Sequence, residues 1–319
     1  METFTVAVTD YGFPDLRQEK EVLEPLGCSI VTGQCTQPEE VVKLASEADA
    51  ILTQWAPINA DVIRQLNRCR VIVRYGIGVD NVDLEAARDR HIPVVNVPDY
   101  AVQEVADHTL SLMLASVRNI PQIVSQVRSG VWEIAPCRPI LGLQGRKLGL
   151  AGFGHIAQSV AVRAKAFGME VFAYDPYVKD EVFSEAGVRR VSWDELVRES
   201  DMVSVHLPLT NQTKHLFQAS VFAQMKKEAC LVNTSRGGVV HTEDLIQALR
   251  TGEIAKAALD VLEEEPIARD HPLLQMEQCL VTSHCAWYSE QSLQRLQLFA
   301  AQEVARVLTG GQPKHVVNK

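Results

Sequence analysis

Three short apolar runs in the last third of the chain each end in a polar residue of a different acid–base type: Leu231-Val-Asn-Thr-Ser-Arg236, Ala257-Ala-Leu-Asp260-Val-Leu-Glu-Glu-Glu265 and Leu280-Val-Thr-Ser-His284. Parallel strands deliver their C-terminal ends to one crevice, so these runs can bring a guanidinium, a carboxylate and an imidazole together. A planar guanidinium fork can hold an anionic or carbonyl oxygen. A histidine backed by a carboxylate can give or take a proton. That combination suits reduction of a 2-oxo acid, or the reverse oxidation. Composition does not choose the carboxylate, because Glu263, Glu264 and Glu265 all stand in one charge run.

Such chemistry needs a hydride source, and a dinucleotide motif lies mid-chain. Lys147-Leu-Gly-Leu-Ala-Gly152-Phe-Gly154-His155-Ile156-Ala157 reads as a strand turning into a helix. Gly152 permits the tight turn, and Gly154 lets the backbone approach a pyrophosphate at the helix N-terminus. Asp175, at the end of the next apolar run, can accept hydrogen bonds from an adenosine ribose and would repel a 2′-phosphate, which favours NAD over NADP. Near residue 75, Gly76-Ile77-Gly78 follows a strand and could form a nest of backbone donors for a carboxylate, with Arg74 beside it adding charge. Trp287, three residues past His284, could wall a pocket for an apolar substrate side chain.

The elements that must position these residues alternate. Runs at 4–9, 29–32, 50–53, 71–74 and 94–97 read as strands, separated by helical patterns at 16–26, 38–48, 61–66 and 84–88. A long Ala- and Leu-rich helix is expected over 102–117. A less regular arm follows over 118–145, and a second strand–helix series starts at Lys147. Strand–helix alternation at this spacing predicts an α/β protein of two doubly wound parallel sheets. The final helix, about 290–308, is expected to return to the first lobe.

Composition narrows the classes. The chain has 319 residues, 46% apolar, with 31 Lys and Arg against 40 Asp and Glu. A net charge of −9 gives no electrostatic footprint for nucleic acid or an anionic membrane. Seven scattered cysteines without a CxxC pair argue against a disulfide framework or a zinc site, and for reduced thiols in the cytoplasm.

Taken in order, these motifs resemble the D-isomer-specific 2-hydroxyacid dehydrogenases. The matching segments are Val73–Asp83, Gly152–Ala157 with Asp175, Asn233–Gly238, Ala257–Pro266 and the histidine segment. Ala286-Trp-Tyr-Ser-Glu-Gln291 and Tyr174-Asp-Pro-Tyr177 look most like the branch holding the C-terminal-binding proteins, with phosphoglycerate dehydrogenases similar in the nucleotide domain. The resemblance implies a flavodoxin-like catalytic lobe of 1–98 plus 290–319 and a Rossmann NAD-binding lobe of 99–289. It implies an active site in the cleft and a homodimer through the nucleotide domains.

By the same resemblance the acid is Glu265, immediately before proline, and the catalytic set is Arg236, Glu265 and His284. Cofactor contacts fall to Gly152, Gly154, His155, Ile156, Asp175, Leu207, Thr234, Ser235 and Asp260. Substrate contacts fall to Arg74, Tyr75, Gly76, Ile77 and Trp287. His155 stands where relatives often carry arginine, and Ile77 where they often carry a hydroxyl residue. The implied activity is NAD-dependent transfer of hydride to or from C2 of a small 2-oxo or 2-hydroxy acid. The alternatives are an NAD(H)-sensing corepressor-like protein and a D-3-phosphoglycerate dehydrogenase.

Overall fold

The computed structural model describes residues 3–319 and divides the chain into two compact units. One runs to Ala101 and resumes as Tyr288–Lys319; the other is Val102–Trp287.

The first unit carries a five-stranded parallel sheet of β1 (Phe4–Val8), β2 (Cys28–Thr32), β3 (Ala50–Thr53), β4 (Val71–Arg74) and β5 (Val94–Val95). Their order is β2-β1-β3-β4-β5, the flavodoxin-like arrangement with its reversal beside β1. All of β3 is buried, as expected where helices cover both faces of a parallel sheet. Asn59 and Asp83 accept the Val62 and Ala86 N–H groups and so start the helices Ala60–Arg64 and Leu84–Asp89. The helix Glu290–Leu308 belongs to this unit, where Gln297 donates to the buried Glu19. The last residues belong here too: Asn318 accepts the Val94 N–H and donates to the Ile92 carbonyl.

The second unit carries β6 (Lys147–Ala151), β7 (Glu170–Tyr174), β8 (Arg189–Arg190), β9 (Met202–Val205), β10 (Cys230–Asn233), β11 (Lys256–Leu259) and β12 (Cys279–Val281). They pair in parallel in the order β12-β11-β10-β9-β6-β7-β8, a dinucleotide-binding sheet extended by one strand. Side chains alternate across it. Val203, Val205, Leu231, Ala257 and Leu259 pack on one face, and Leu148, Leu150, Met202, Val232 and Ala258 on the other. The strand order reverses between β6 and β9, which opens a crevice at their C-terminal ends.

Two departures from the sequence expectation have a clear physical reason. The arm over 118–145 contains a regular helix, Ile120–Arg128, started by Pro121 in its first turn. Strand β5 stops at Val95, because the Asn96 side chain turns to the Ile77 carbonyl and Val97 N–H goes to Gly76. Among the described residues all seven cysteines are free thiols, and no helix is long and apolar enough to cross a membrane.

Candidate active site

Within the second unit, Arg236, Asp260 and His284 follow β10, β11 and β12, three adjacent strands. The β10 end turns sharply because Asn233 accepts both the backbone N–H and the hydroxyl of Ser235 and donates back to the Arg236 carbonyl. Arg236 is half-buried, and its guanidinium donates to the Ser235 carbonyl at 2.7 Å. Gly237 then lies flat on the next loop. A Cβ on it would fall 1.9 Å from the Leu262 carbonyl, so only glycine lets the arginine turn and the acid loop touch.

That contact sets the carboxylate. Glu265 Oε1 accepts the Leu262 N–H at 2.8 Å, and Oε2 lies 2.6 Å from His284 Nδ1. Glu263, by contrast, faces His215 and the Thr242 N–H, so the charge run splits into two different jobs. Burial works against the ionised form of Glu265, yet the His284 bond and the Leu262 N–H outweigh it and hold the carboxyl below its usual range. With Nδ1 committed to a carboxylate, Nε2 is the nitrogen left to exchange a proton.

His284 has φ of +53°, a left-handed backbone position uncommon for a residue other than glycine. Asp260 holds it there. Its carbonyl accepts the His284 N–H at 2.8 Å, and its carboxylate accepts the N–H groups of Cys285 (3.0 Å) and Ala286 (2.8 Å) and the Thr282 hydroxyl. Desolvation would raise the Asp260 carboxyl, but His108, Thr282 and these two N–H groups keep it below its usual range. His108, Asp260 and Cys285 also place potential metal-ligand atoms within 4.8 Å of one another. The Asp260 oxygens are already filled by hydrogen-bond donors. His108 and Thr282 were not legible as part of the site: one sits inside an apolar helix, the other looks like an ordinary strand residue.

The nucleotide turn follows β6. Gly152 has φ of +92°, and a Cβ there would meet the His206 carbonyl at 2.5 Å, so the turn presses on the residue after β9. Gly154 is the exposed N-cap of the helix His155–Ala166, and nothing described lies within 4 Å of where its side chain would start. An uncapped helix N-terminus with open backbone fits a pyrophosphate. His155 is exposed and Ile156 half-buried on its first turn. Asp175 accepts Phe153 N–H through one oxygen and the Tyr177 and Val178 N–H groups through the other, so it also clamps the glycine turn to the end of β7. Leu207 is buried after β9, Ser235 is half-buried, and the Thr234 hydroxyl lies 2.8 Å from that of Thr109. Trp287, half-buried, donates its indole N–H to the His284 carbonyl, which ties it to the histidine turn.

In the first unit, Arg74 ends β4 and donates through Nε to the Gln54 carbonyl. Gly76 has φ of +137°, and a Cβ on it would strike the Arg74 guanidinium, so that group lies directly over the turn. Ile77 is half-buried, and its carbonyl accepts from Asn96. Tyr75 is buried, with its hydroxyl on Glu19 at 2.8 Å; its side chain is part of this unit's core.

Comparison with known proteins gives the family. Residues 110–286 match the family model for the NAD-binding domain of D-isomer-specific 2-hydroxyacid dehydrogenases. A D-3-phosphoglycerate dehydrogenase of Methanocaldococcus jannaschii is 39% identical over 93% of this chain, which spans only 57% of that relative's length. A glyoxylate reductase of Korarchaeum cryptofilum is 36% identical over 88% of this chain and 85% of its own. Among solved structures, D-lactate dehydrogenase from Aquifex aeolicus, complexed with NAD and lactic acid, superposes with a TM-score of 0.84 at 27% identity, covering 96% of both chains. On its sequence match and its fold, the chain belongs to the D-isomer-specific 2-hydroxyacid dehydrogenase family and carries that family's NAD-binding domain.

Proposed function

We propose that the chain reduces a small 2-oxo acid to the D-2-hydroxy acid with NADH, and runs the reverse oxidation when product is in excess. The 2.6 Å pairing of His284 with Glu265, beside Arg236 at the next strand end but one, carries this reading. Gly152, Gly154, His155, Ile156, Asp175, Leu207, Thr234, Ser235 and Asp260 would hold the nucleotide, with Asp175 favouring NAD over NADP. Bound nicotinamide supplies the hydride. Arg236 orients the 2-oxo group through its planar fork. Protonated His284 donates from Nε2 to the oxygen as it becomes an alcohol, and Glu265 stabilises the imidazolium before that step. In the first unit, the Gly76–Gly78 turn under Arg74 is the candidate element for a substrate carboxylate, and Trp287 the candidate wall for an apolar substituent.

Names of relatives support a small substrate: one is a glyoxylate reductase and another acts on phosphoglycerate. The protein is read as a cytoplasmic homodimer through its nucleotide unit, where Ile120, Val124, Val127, Trp132 and Ile134 are exposed together. The test is turnover of glyoxylate, hydroxypyruvate, 3-phosphohydroxypyruvate and branched 2-oxo acids with NADH. His284→Ala should leave NADH binding intact and cut turnover by about 10²–10⁴-fold. Near-normal turnover in that variant rejects the assignment. Tight NADH binding with no turnover of any acid points instead to a nucleotide-sensing protein.

A further inference from the structure

Glu265 sits on a stretch without regular structure, between the end of β11 at Leu259 and the 3₁₀ turn Pro272–Gln275. Something other than a strand or helix must fix it. Two contacts do so. One is the Leu262–Glu263 peptide lying on Gly237, already described. The other is the Glu263 side chain, whose Oε1 lies 2.5 Å from His215 Nε2 and whose Oε2 accepts the Thr242 N–H at 2.6 Å.

His215 is itself held rigidly. Its φ is +53°, and its N–H donates to the Gly238 carbonyl at 2.8 Å, so it is fastened to the same turn that carries Arg236. Its ring packs edge-on against His241 with centroids 4.7 Å apart. His241 Nδ1 lies 3.1 Å from Asp244, whose carboxylate accepts the Ala219 N–H. The charged and titratable groups around His215 are therefore Glu263, His241 and Asp244, and those around Glu265 are His284, which favours its anion, and Asp260, which opposes it. Burial opposes ionisation of Glu263, but Thr242 and His215 prevail and hold it below its usual range, so it is an anion at neutral pH.

We propose that Glu263 and His215 form a positioning latch for the acid loop: by pinning the loop beside Glu265 to the Arg236–Gly238 turn, they keep the Leu262 N–H on Glu265 and Glu265 on His284. Neither residue touches the reacting atoms. The latch rests on the proposed dehydrogenase reading for its consequence in catalysis, but not for its effect on Glu265. If Glu263 is removed, the loop loosens, the Leu262 N–H drifts from Glu265, and the carboxyl returns toward its ordinary value. A carboxylate that is held low stays ionised as pH falls. With the latch gone, protonation of Glu265, and with it the loss of activity on the acid side, comes at higher pH.

The experiment uses the full chain with NADH, as wild type, Glu263→Ala, Glu263→Asp and His215→Gly. Glycine accepts the left-handed backbone at position 215, so that variant removes the imidazole without straining the turn. The Glu265 carboxyl is titrated by carbon-13 NMR. The acid limb of kcat/KM is followed with glyoxylate, and NADH affinity is measured by fluorescence. Expected in Glu263→Ala and His215→Gly are an upward move of the Glu265 titration, a matching move of the acid limb, and a fall in kcat of about tenfold or more, as for other small misplacements of a catalytic group. NADH affinity falls less than kcat does, since Gly152, Gly154 and Asp175 of the nucleotide turn lie outside the latch. Glu263→Asp restores part of each change. A loss of thermal stability with the Glu265 titration unmoved overturns the latch and leaves a plain structural ion pair. If wild type reduces no 2-oxo acid, the functional reading fails while the NMR titration still decides the latch. If Glu263→Ala does not fold, His215→Gly carries the same expectation.

Discussion

At the scale of single residues, Asp260 is the position where sequence and structure say different things. In the sequence it is one polar strand end among several, and the family pattern assigns it to the cofactor. Its surroundings give it a second role, as a brace for the histidine turn. Through one carbonyl and a nearly inaccessible carboxylate it accepts the N–H groups of His284, Cys285 and Ala286 in succession. Left-handed backbone at a non-glycine residue persists only when its surroundings over-determine it, and three acceptors in a row do that. Asp260→Asn keeps the shape but turns one acceptor into a donor facing N–H groups. Leaving such groups unsatisfied costs about 1–3 kcal/mol. The expected result is that loss in urea denaturation, together with a fall in kcat of about 100-fold from the displaced imidazole. Wild-type kcat in a variant with wild-type stability would remove Asp260 from this role. No spacing rule reveals the arrangement, because the donors are backbone groups, which every sequence has.

At the scale of elements, what was legible followed periodicity. Runs such as Val71–Arg74 and Met202–Val205 are apolar on both faces and short, so they read as parallel strands. Arg189–Arg190 is an edge strand of two charged residues and carries no such signal. The helix Ile120–Arg128 was hidden by its Pro121, by Gln122 and Gln126, and by apolar residues that face outward. Candidate site residues were legible at strand ends, where topology fixes direction, whereas the contact between loops was not. Gly237 shows why: its glycine is required by the backbone of Leu262, a neighbour in space alone. Two glycine substitutions should therefore behave oppositely. Gly237→Ala forces the arginine turn off the acid loop and should destabilise the protein by about 1–3 kcal/mol, as overpacking does, with catalysis falling further than NADH affinity. Gly154→Ala meets nothing within 4 Å and should fold with wild-type stability. Its methyl group would stand where the pyrophosphate backbone approaches, so NADH affinity should fall by about tenfold or more. Equal effects of the two on folding, by urea midpoint, would contradict this division.

At the scale of the whole molecule, a net charge of −9 gave no electrostatic footprint for nucleic acid or an anionic membrane, but composition could not show where apolar surface remains. Exposed large apolar side chains gather between Ile120 and Ile134: Ile120, Val124 and Val127 share one face of the helix, Val131 and Trp132 follow it, and Trp132 is 86% exposed. Spacing of i, i+4 and i+7 places three of them in a single stripe. Elsewhere in the same unit most strand valines are buried, and exposed apolar side chains such as Val162 and Leu209 are spread along the sequence rather than grouped. Contiguous apolar surface of this kind marks a protein interface more often than a free surface, and a two-fold copy presenting the same stripe is its simplest complement. The proposed dimer follows from this. Wild type should sediment as a dimer at micromolar concentration. The double variant Val124→Lys, Val127→Glu places charges of both signs in the stripe and leaves the protein's net charge unchanged. It should sediment as a monomer that keeps wild-type helix content. A monomer in both proteins sinks the dimer. A dimer in both moves the interface away from this helix.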